Sequence, residues 1–211
     1  MEWNLEPGVL AGCAGLAGAY LWAARGAGGL RRLAFAAAEA VLLGALASPL
    51  DGLAERTLFS AHMLQHLLLL EVAAPLLVLS VPAELGHRIF LGRWPGLKAW
   101  MAWMIGFGML CLWHVPWLYD AALRWDGVHA LEHICFVASA CIFWWPVLRG
   151  ELGASESVLY LFARMAGNLL LGTLIYLAPI WFYGAYLHAA TPLPFGLTAL
   201  ADQRLGGILM W

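Results

Sequence analysis

The stretch FSAHMLQHLLLLEVAAPLLVLSVP, residues 59–82, decides how the whole chain is read. It holds no lysine or arginine and one acid, Glu71. A helix needs about 20 such residues to cross the ~30 Å hydrocarbon core of a bilayer, and this run is long enough. Its opening turns carry His62 and His66 in an H-x-x-x-H pair. Residues four apart share one helix face, with Cβ atoms about 5–6 Å from each other. The stretch therefore reads as a membrane helix aiming two imidazoles in one direction, which is costly in hydrocarbon and marks a functional site.

The rest of the chain agrees with a membrane reading. Of its 211 residues, 63% are hydrophobic and 11% charged, too little charge to cover a soluble domain. The formal net charge of −2 gives no sign of a nucleic-acid partner, and membrane lipid is the expected surrounding. Apolar runs mark spans at roughly 8–24, 33–50, 59–82, 99–118, 128–148 and 158–187. The expected fold is an all-α integral membrane protein, a bundle of six transmembrane helices plus the start of a seventh near Trp211. It forms one domain over residues 1–211, cut off within the last helix. Gly12, Gly15 and Gly18 predict close helix packing in the first span, and Pro179 a bend in the sixth.

Charge sets the orientation. Glu2 and Glu6 stand where a signal peptide would carry basic residues, while Arg25, Arg31 and Arg32 follow the first span. Arg88, Arg93, Lys98 and Arg149 fall in the same set of alternate loops, and only Arg56, Arg124 and Arg204 in the other. The positive-inside rule then puts the N-terminus outside. Trp113 and Trp117 outside, and Trp144 and Trp145 inside, read as interfacial belts. The four cysteines lie within spans without C-x-x-C spacing and read as small buried residues.

This topology gathers six of the seven histidines at the external end: His62, His66, His114, His129, His133 and His188. Only His87 is cytoplasmic. His129 and His133 form a second H-x-x-x-H pair, so two helices side by side bring four ring nitrogens toward one volume. Imidazole suits zinc, copper, iron or nickel. Gln65, Glu132, Asp120, Asp202 and Gln203 are at the right end to accept the second ring N–H of a ligating histidine. Met63 and Met210 offer thioethers, which favour Cu(I). Glu39, Glu71 and Arg164 sit within spans, where Arg164 with Glu71 reads either as a structural ion pair or as part of a proton or ion path.

Several runs carry a family resemblance. They are His62-Met63-Leu64-Gln65-His66; His114-Val115-Pro116-Trp117-Leu118-Tyr119-Asp120-Ala121-Ala122-Leu123; His129 to His133 followed by Phe136 and Trp144-Trp145-Pro146; and Asp202-Gln203-Arg204-Leu205-Gly206-Gly207 with Trp211. In content and order they resemble the CtaG-like cytochrome c oxidase assembly factors, a multi-span membrane family. The resemblance covers about residues 59 to 211 and implies about seven spans. It also implies a bacterial cytoplasmic-membrane location, haem–copper oxidase subunits as partners, and a metallochaperone role with copper as the ion handled. It carries His62, His66, His114, His129 and His133 over as ligands; His188 joins them by position alone.

The leading expectation is thus a non-enzymatic assembly factor that binds copper in the external cluster and delivers it to the oxidase. Spacing by itself leaves zinc or iron open, and oligomeric state is not readable. The alternative is an integral-membrane metalloenzyme with a dinuclear His-rich site, in which Glu132 would activate water. A haem-binding protein and an ion transporter are further readings, separable by a Soret band and by polar residues continuing to the other face.

Overall fold

The computed structural model describes Trp3, residues 6–86, residues 98–179, Tyr183, Gly184, Tyr186 and residues 193–211. His87, Arg88, Arg93 and His188 lie outside the described residues, as do parts of the expected sixth span and of the loop after it. Every regular element among the described residues is helical. In chain order they are α1 (Pro7–Ala23), α2 (Gly29–Leu46), α3 (Pro49–Arg56), α4 (Phe59–Leu67), a π-helical segment (Leu68–Ala73), α5 (Ala74–Ser80), α6 (Ala83–Gly86), α7 (Ala99–Trp113), α8 (Pro116–Arg124), α9 (Asp126–Leu148), α10 (Ala154–Leu177), a 3₁₀ turn (Pro194–Gly196) and α11 (Ala199–Leu209).

Three helical runs are long and apolar enough to cross a membrane: Phe59–Ser80, Asp126–Leu148 and Ala154–Leu177. Counting each bent pair as one span raises the number to five. The pairs are α2 with α3, bent by 46°, and α7 with α8, bent by 72°. Both breaks come from proline. A proline has no N–H to give the preceding turn, and its ring collides with the carbonyl four residues back. Pro49 and Pro116 instead sit in the first turn of new helices, where that N–H is not needed. Ser48 caps α3, its Oγ accepting from the Leu50 N–H at 3.2 Å. The expected runs 33–50 and 99–118 therefore contain corners, and the long run from 158 ends its helix at Leu177, before Pro179.

The run 59–82 is also not one plain α-helix. Pro75 cannot bond the Glu71 carbonyl, and the backbone widens into the π-helical segment just before it. The Ala74 N–H reaches Leu69 O, which leaves Leu70 O without its usual helical donor. The Trp144 indole N–H fills that place at 2.9 Å. Trp144 thus pins α9 to the π-helical segment, and Trp113 is a core residue packed with Leu110 and Phe136, so neither acts only as an interfacial belt. Trp117, by contrast, is exposed.

Helices α7 and α5 pack on α9, α2 packs on α5, and α11 wedges between α4 and α10. The α10–α11 crossing depends on glycine. A Cβ on Gly172 would stand 2.5 Å from Gly207 O, and one on Gly207 would stand 2.7 Å from Gly172 O. Side chains here would push the backbones apart. The close packing expected at Gly12, Gly15 and Gly18 does not occur among the described residues, since a Cβ on any of them meets nothing within 4 Å. Helix α1 docks instead through Tyr20, stacked on Phe35 at 3.9 Å between ring centroids.

Polar side chains then fix the helix ends. Asp202 of α11 accepts the Phe59 and Ser60 N–H groups at 2.7 and 3.1 Å, capping α4 from another helix, and the Ser60 hydroxyl donates to it as well. Gln203 donates to the Ile175 and Ala178 carbonyls at 3.0 and 2.9 Å, closing the end of α10. Gln65 donates to Ala45 O at 2.9 Å and Asp51 at 2.7 Å, tying the α2–α3 corner to α4. These bonds satisfy backbone groups that a helix end leaves open, and together they fix the position of α4.

Candidate metal centre

Helices α4 and α9 begin at the same end of the bundle and face each other across their histidine rings. His62 and His66 project from the opening turns of α4, and His129 and His133 from those of α9. Ring centroids are 4.2 Å apart within each pair, 5.3 Å between His62 and His129, and 5.7 Å between His66 and His133. The α7–α8 corner brings His114 alongside, 6.1 Å from His66. All five are buried. His188, the sixth candidate, lies outside the described residues.

Three of these rings are held at Nδ1. His114 donates to the Leu110 carbonyl at 2.7 Å, one turn back in its own helix. His129 donates to Glu55 Oε1 at 3.0 Å, a carboxylate that the α2–α3 corner swings over the cluster. His62 Nδ1 lies 3.3 Å from the Tyr186 hydroxyl, which gives its own proton to Ala54 O at 2.6 Å and so accepts from the imidazole. Tyr119, fully buried, donates to the same hydroxyl at 3.2 Å. A ring that donates from Nδ1 presents a bare lone pair at Nε2, the arrangement of a metal-ligating histidine with its supporting partner.

The Nε2 atoms find no partner within the protein. Those of His62, His66, His114, His129 and His133 are all buried without a hydrogen bond, as are His66 Nδ1 and both carboxylate oxygens of Glu132. Leaving one buried polar atom unsatisfied costs about 1–3 kcal/mol, so a concentration of them needs a cause. Glu132 was expected to stand behind a histidine. It points between them instead, with Oε2 3.9 Å from His62 Nε2 and Oε1 3.6 Å from His66 Nε2. A bound cation satisfies lone pairs and carboxylate together.

Two sets of donors come close enough to share an ion. In His62, His66 and His133, and again in His62, His129 and Glu132, the ligand atoms lie within 4.8 Å of one another. His114 borders the first set without belonging to it, and no cysteine joins either set among the described residues. The thioether expected from Met63 is directed elsewhere: Met63 packs with Phe59 and Tyr119, against Gly206 of α11. Gln65, Asp202 and Gln203, expected behind the histidines, serve the backbone. Glu55 and Tyr186 hold that place. Their link to the rings depends on the α3 corner and on the segment after α10, and no motif in the sequence signals it.

Away from the cluster, Arg164 of α10 donates to Glu71 at 3.0 Å and to Asn168 at 3.1 Å, and lies over the Phe143 ring. Here the expected ion pair is present.

Comparison with known proteins gives a consistent answer. The family of cytochrome c oxidase caa3 assembly factors (Caa3_CtaG) matches residues 16–211. Uncharacterized proteins of Mycobacterium bovis and Mycobacterium tuberculosis are each 25% identical over 180 residues, and one of Mycobacterium leprae is 24% identical. The aligned region is 73% of this chain, which spans about a quarter (27%) of the length of those relatives. No solved structure matches.

Proposed function

The chain belongs to the cytochrome c oxidase caa3 assembly factors, and from that premise we propose that it binds a copper ion in the histidine cluster and delivers it to a haem–copper oxidase subunit. The observation that carries this reading is the set of five buried Nε2 atoms without partners, gathered around a carboxylate equally without one. The ion is cargo, and the chain acts as an assembly factor and not as an enzyme. Its own residues hold it: His62, His66 and His133 through nitrogen, with His129 and Glu132 beside them. Imidazole donors accept copper, zinc and iron alike; the oxidase client is what favours copper.

In this reading the protein is a multi-pass protein of the bacterial cytoplasmic membrane, with six spans and the opening of a seventh. The N-terminus and the cluster lie on the external side, supported by the seven-to-three bias of basic residues between alternate loops. An externally facing site suits delivery to a subunit whose metal centre matures outside the cytoplasm.

Metal analysis of the purified full-length protein tests the proposal. After reconstitution with Cu(I), wild type should retain about one equivalent and the His62→Ala/His66→Ala variant almost none. Negligible copper in both proteins sinks the reading.

A further inference from the structure

The two donor sets overlap in one residue, and the chemistry of that residue limits what they can do together. His62 belongs to both. Its Nδ1 is committed to the Tyr186 hydroxyl, so Nε2 is its single available lone pair, and one lone pair ligates one ion at a time. Full three-donor coordination in one set therefore excludes it in the other. On this ground we infer that the cluster is a two-position relay for a single ion, pivoting on His62, an inference that rests on the copper-binding reading above.

The positions differ in depth and in chemistry. His62, His66 and His133 form the deep one, with three nitrogen donors. His62, His129 and Glu132 form the rim one, with two nitrogens and an oxygen. Along both helices the rim histidine comes one turn nearer the shared end: His62 before His66 on α4, His129 before His133 on α9. The rim opens outward through Glu55, bonded to His129 and 23% exposed at its side chain, while the ligand rings themselves are all buried.

Glu132 spans the two levels, one oxygen toward His66 and the other toward His62. In moving outward the ion keeps its bond to His62, breaks those to His66 and His133, and forms bonds to His129 and Glu132. No electron changes hands; Glu132 ligates as the carboxylate, giving up any proton it carries, and adds one negative charge to the shell. Cu(I) prefers nitrogen to carboxylate oxygen, so the deep position retains the ion and the rim position loosens it for transfer. A dinuclear centre would need separate donors for each ion, and the shared His62 Nε2 does not provide them.

Cu(I) titration against a chromophoric chelator and X-ray absorption at the copper edge test this on the full-length protein. Wild type should bind one ion per chain. His133→Ala should still bind one ion, with an oxygen in its shell and affinity lowered by about tenfold or more, a step of about 1.4 kcal/mol. His129→Ala and Glu132→Gln should keep an all-nitrogen shell and near wild-type affinity, and should release the ion to chelator more slowly. His62→Ala should weaken binding more than any of these.

Two ions per wild-type chain overturn the relay. So does an identical shell and equal affinity loss in His133→Ala and His129→Ala, which would mean one common site. Where His133→Ala does not fold, as judged by circular dichroism, His133→Gln makes the same test. A wild type that binds no copper fails the functional reading itself, whereas one-ion binding with indistinguishable variants fails only the relay.

Discussion

Two polar clusters sit in this apolar bundle, and they handle burial in opposite ways. Around Arg164 the groups answer each other: Nη2 meets Glu71, Nε meets Asn168, and the guanidinium covers Phe143, leaving only Nη1 without a partner. Around His62 the groups turn matching lone pairs toward one another and leave them bare. Complementary charge closes a network and makes it structural. Like donors aimed at one volume leave it incomplete until something cationic arrives. Sorting buried polar residues by whether their partners lie inside the chain separates scaffold from site more reliably than burial does.

The contrast breaks most visibly at Arg164. Arg164→Met strands Glu71 among helices, and removing one member of a buried pair costs about 3–5 kcal/mol. Because the Glu71 side chain is 29% exposed, about 2–3 kcal/mol is expected, discounted for that solvation. Thermal unfolding in detergent should register the loss, the Arg164→Met/Glu71→Leu double variant should recover most of it, and copper content should not change. If Arg164→Met abolishes copper binding in a folded protein, the two clusters are not separate in role.

Next in size is Glu55. Outer partners of ligating histidines are worth about 10- to 100-fold at the position they serve, and Glu55 serves only the rim through His129. Glu55→Ala should therefore leave overall Cu(I) affinity near wild type and slow release to chelator by up to that factor, with little change in the stability of the metal-free protein. Release at the wild-type rate would show that His129 needs no support at Nδ1.

The smallest effect carries the sharpest contrast. His66 has both ring nitrogens buried and unpartnered, so His66→Leu removes an unsatisfied group and keeps the site filled. Metal-free stability should hold or rise by up to about 1 kcal/mol, the reverse of Arg164→Met. Added copper should then stabilise the variant less than wild type; at a hundredfold excess over Kd the wild-type gain is about 2.7 kcal/mol. A metal-free His66→Leu protein that unfolds several degrees early would assign His66 to the scaffold.

How far the sequence could be read follows from which distances it encodes. The two H-x-x-x-H pairs were legible because helical spacing alone puts positions 62 and 66, or 129 and 133, on one face. The Arg164–Glu71 pair was legible because a lone cation and a lone acid in hydrocarbon have few other choices. Glu55 was not, since its bond to His129 spans 74 positions and depends on the corner at Pro49. The corners themselves were written in Pro49 and Pro116, but hydropathy averages across a break and reads two helices as one run. Glu132 is legible as a group at the level of the cluster, but whether it stands behind a ring or between the rings depends on where His62 and His66 of another helix come to lie.

The π-helical segment between Leu68 and Ala73 makes the long helix two rotors joined in series. The histidine pair takes its bearing from α4, and everything after Ala73 takes its bearing from one inserted residue. Excising a single residue there would turn the lower half by roughly 100° against the upper. That one-residue phase shift sets which face α5 turns toward α2 and α9.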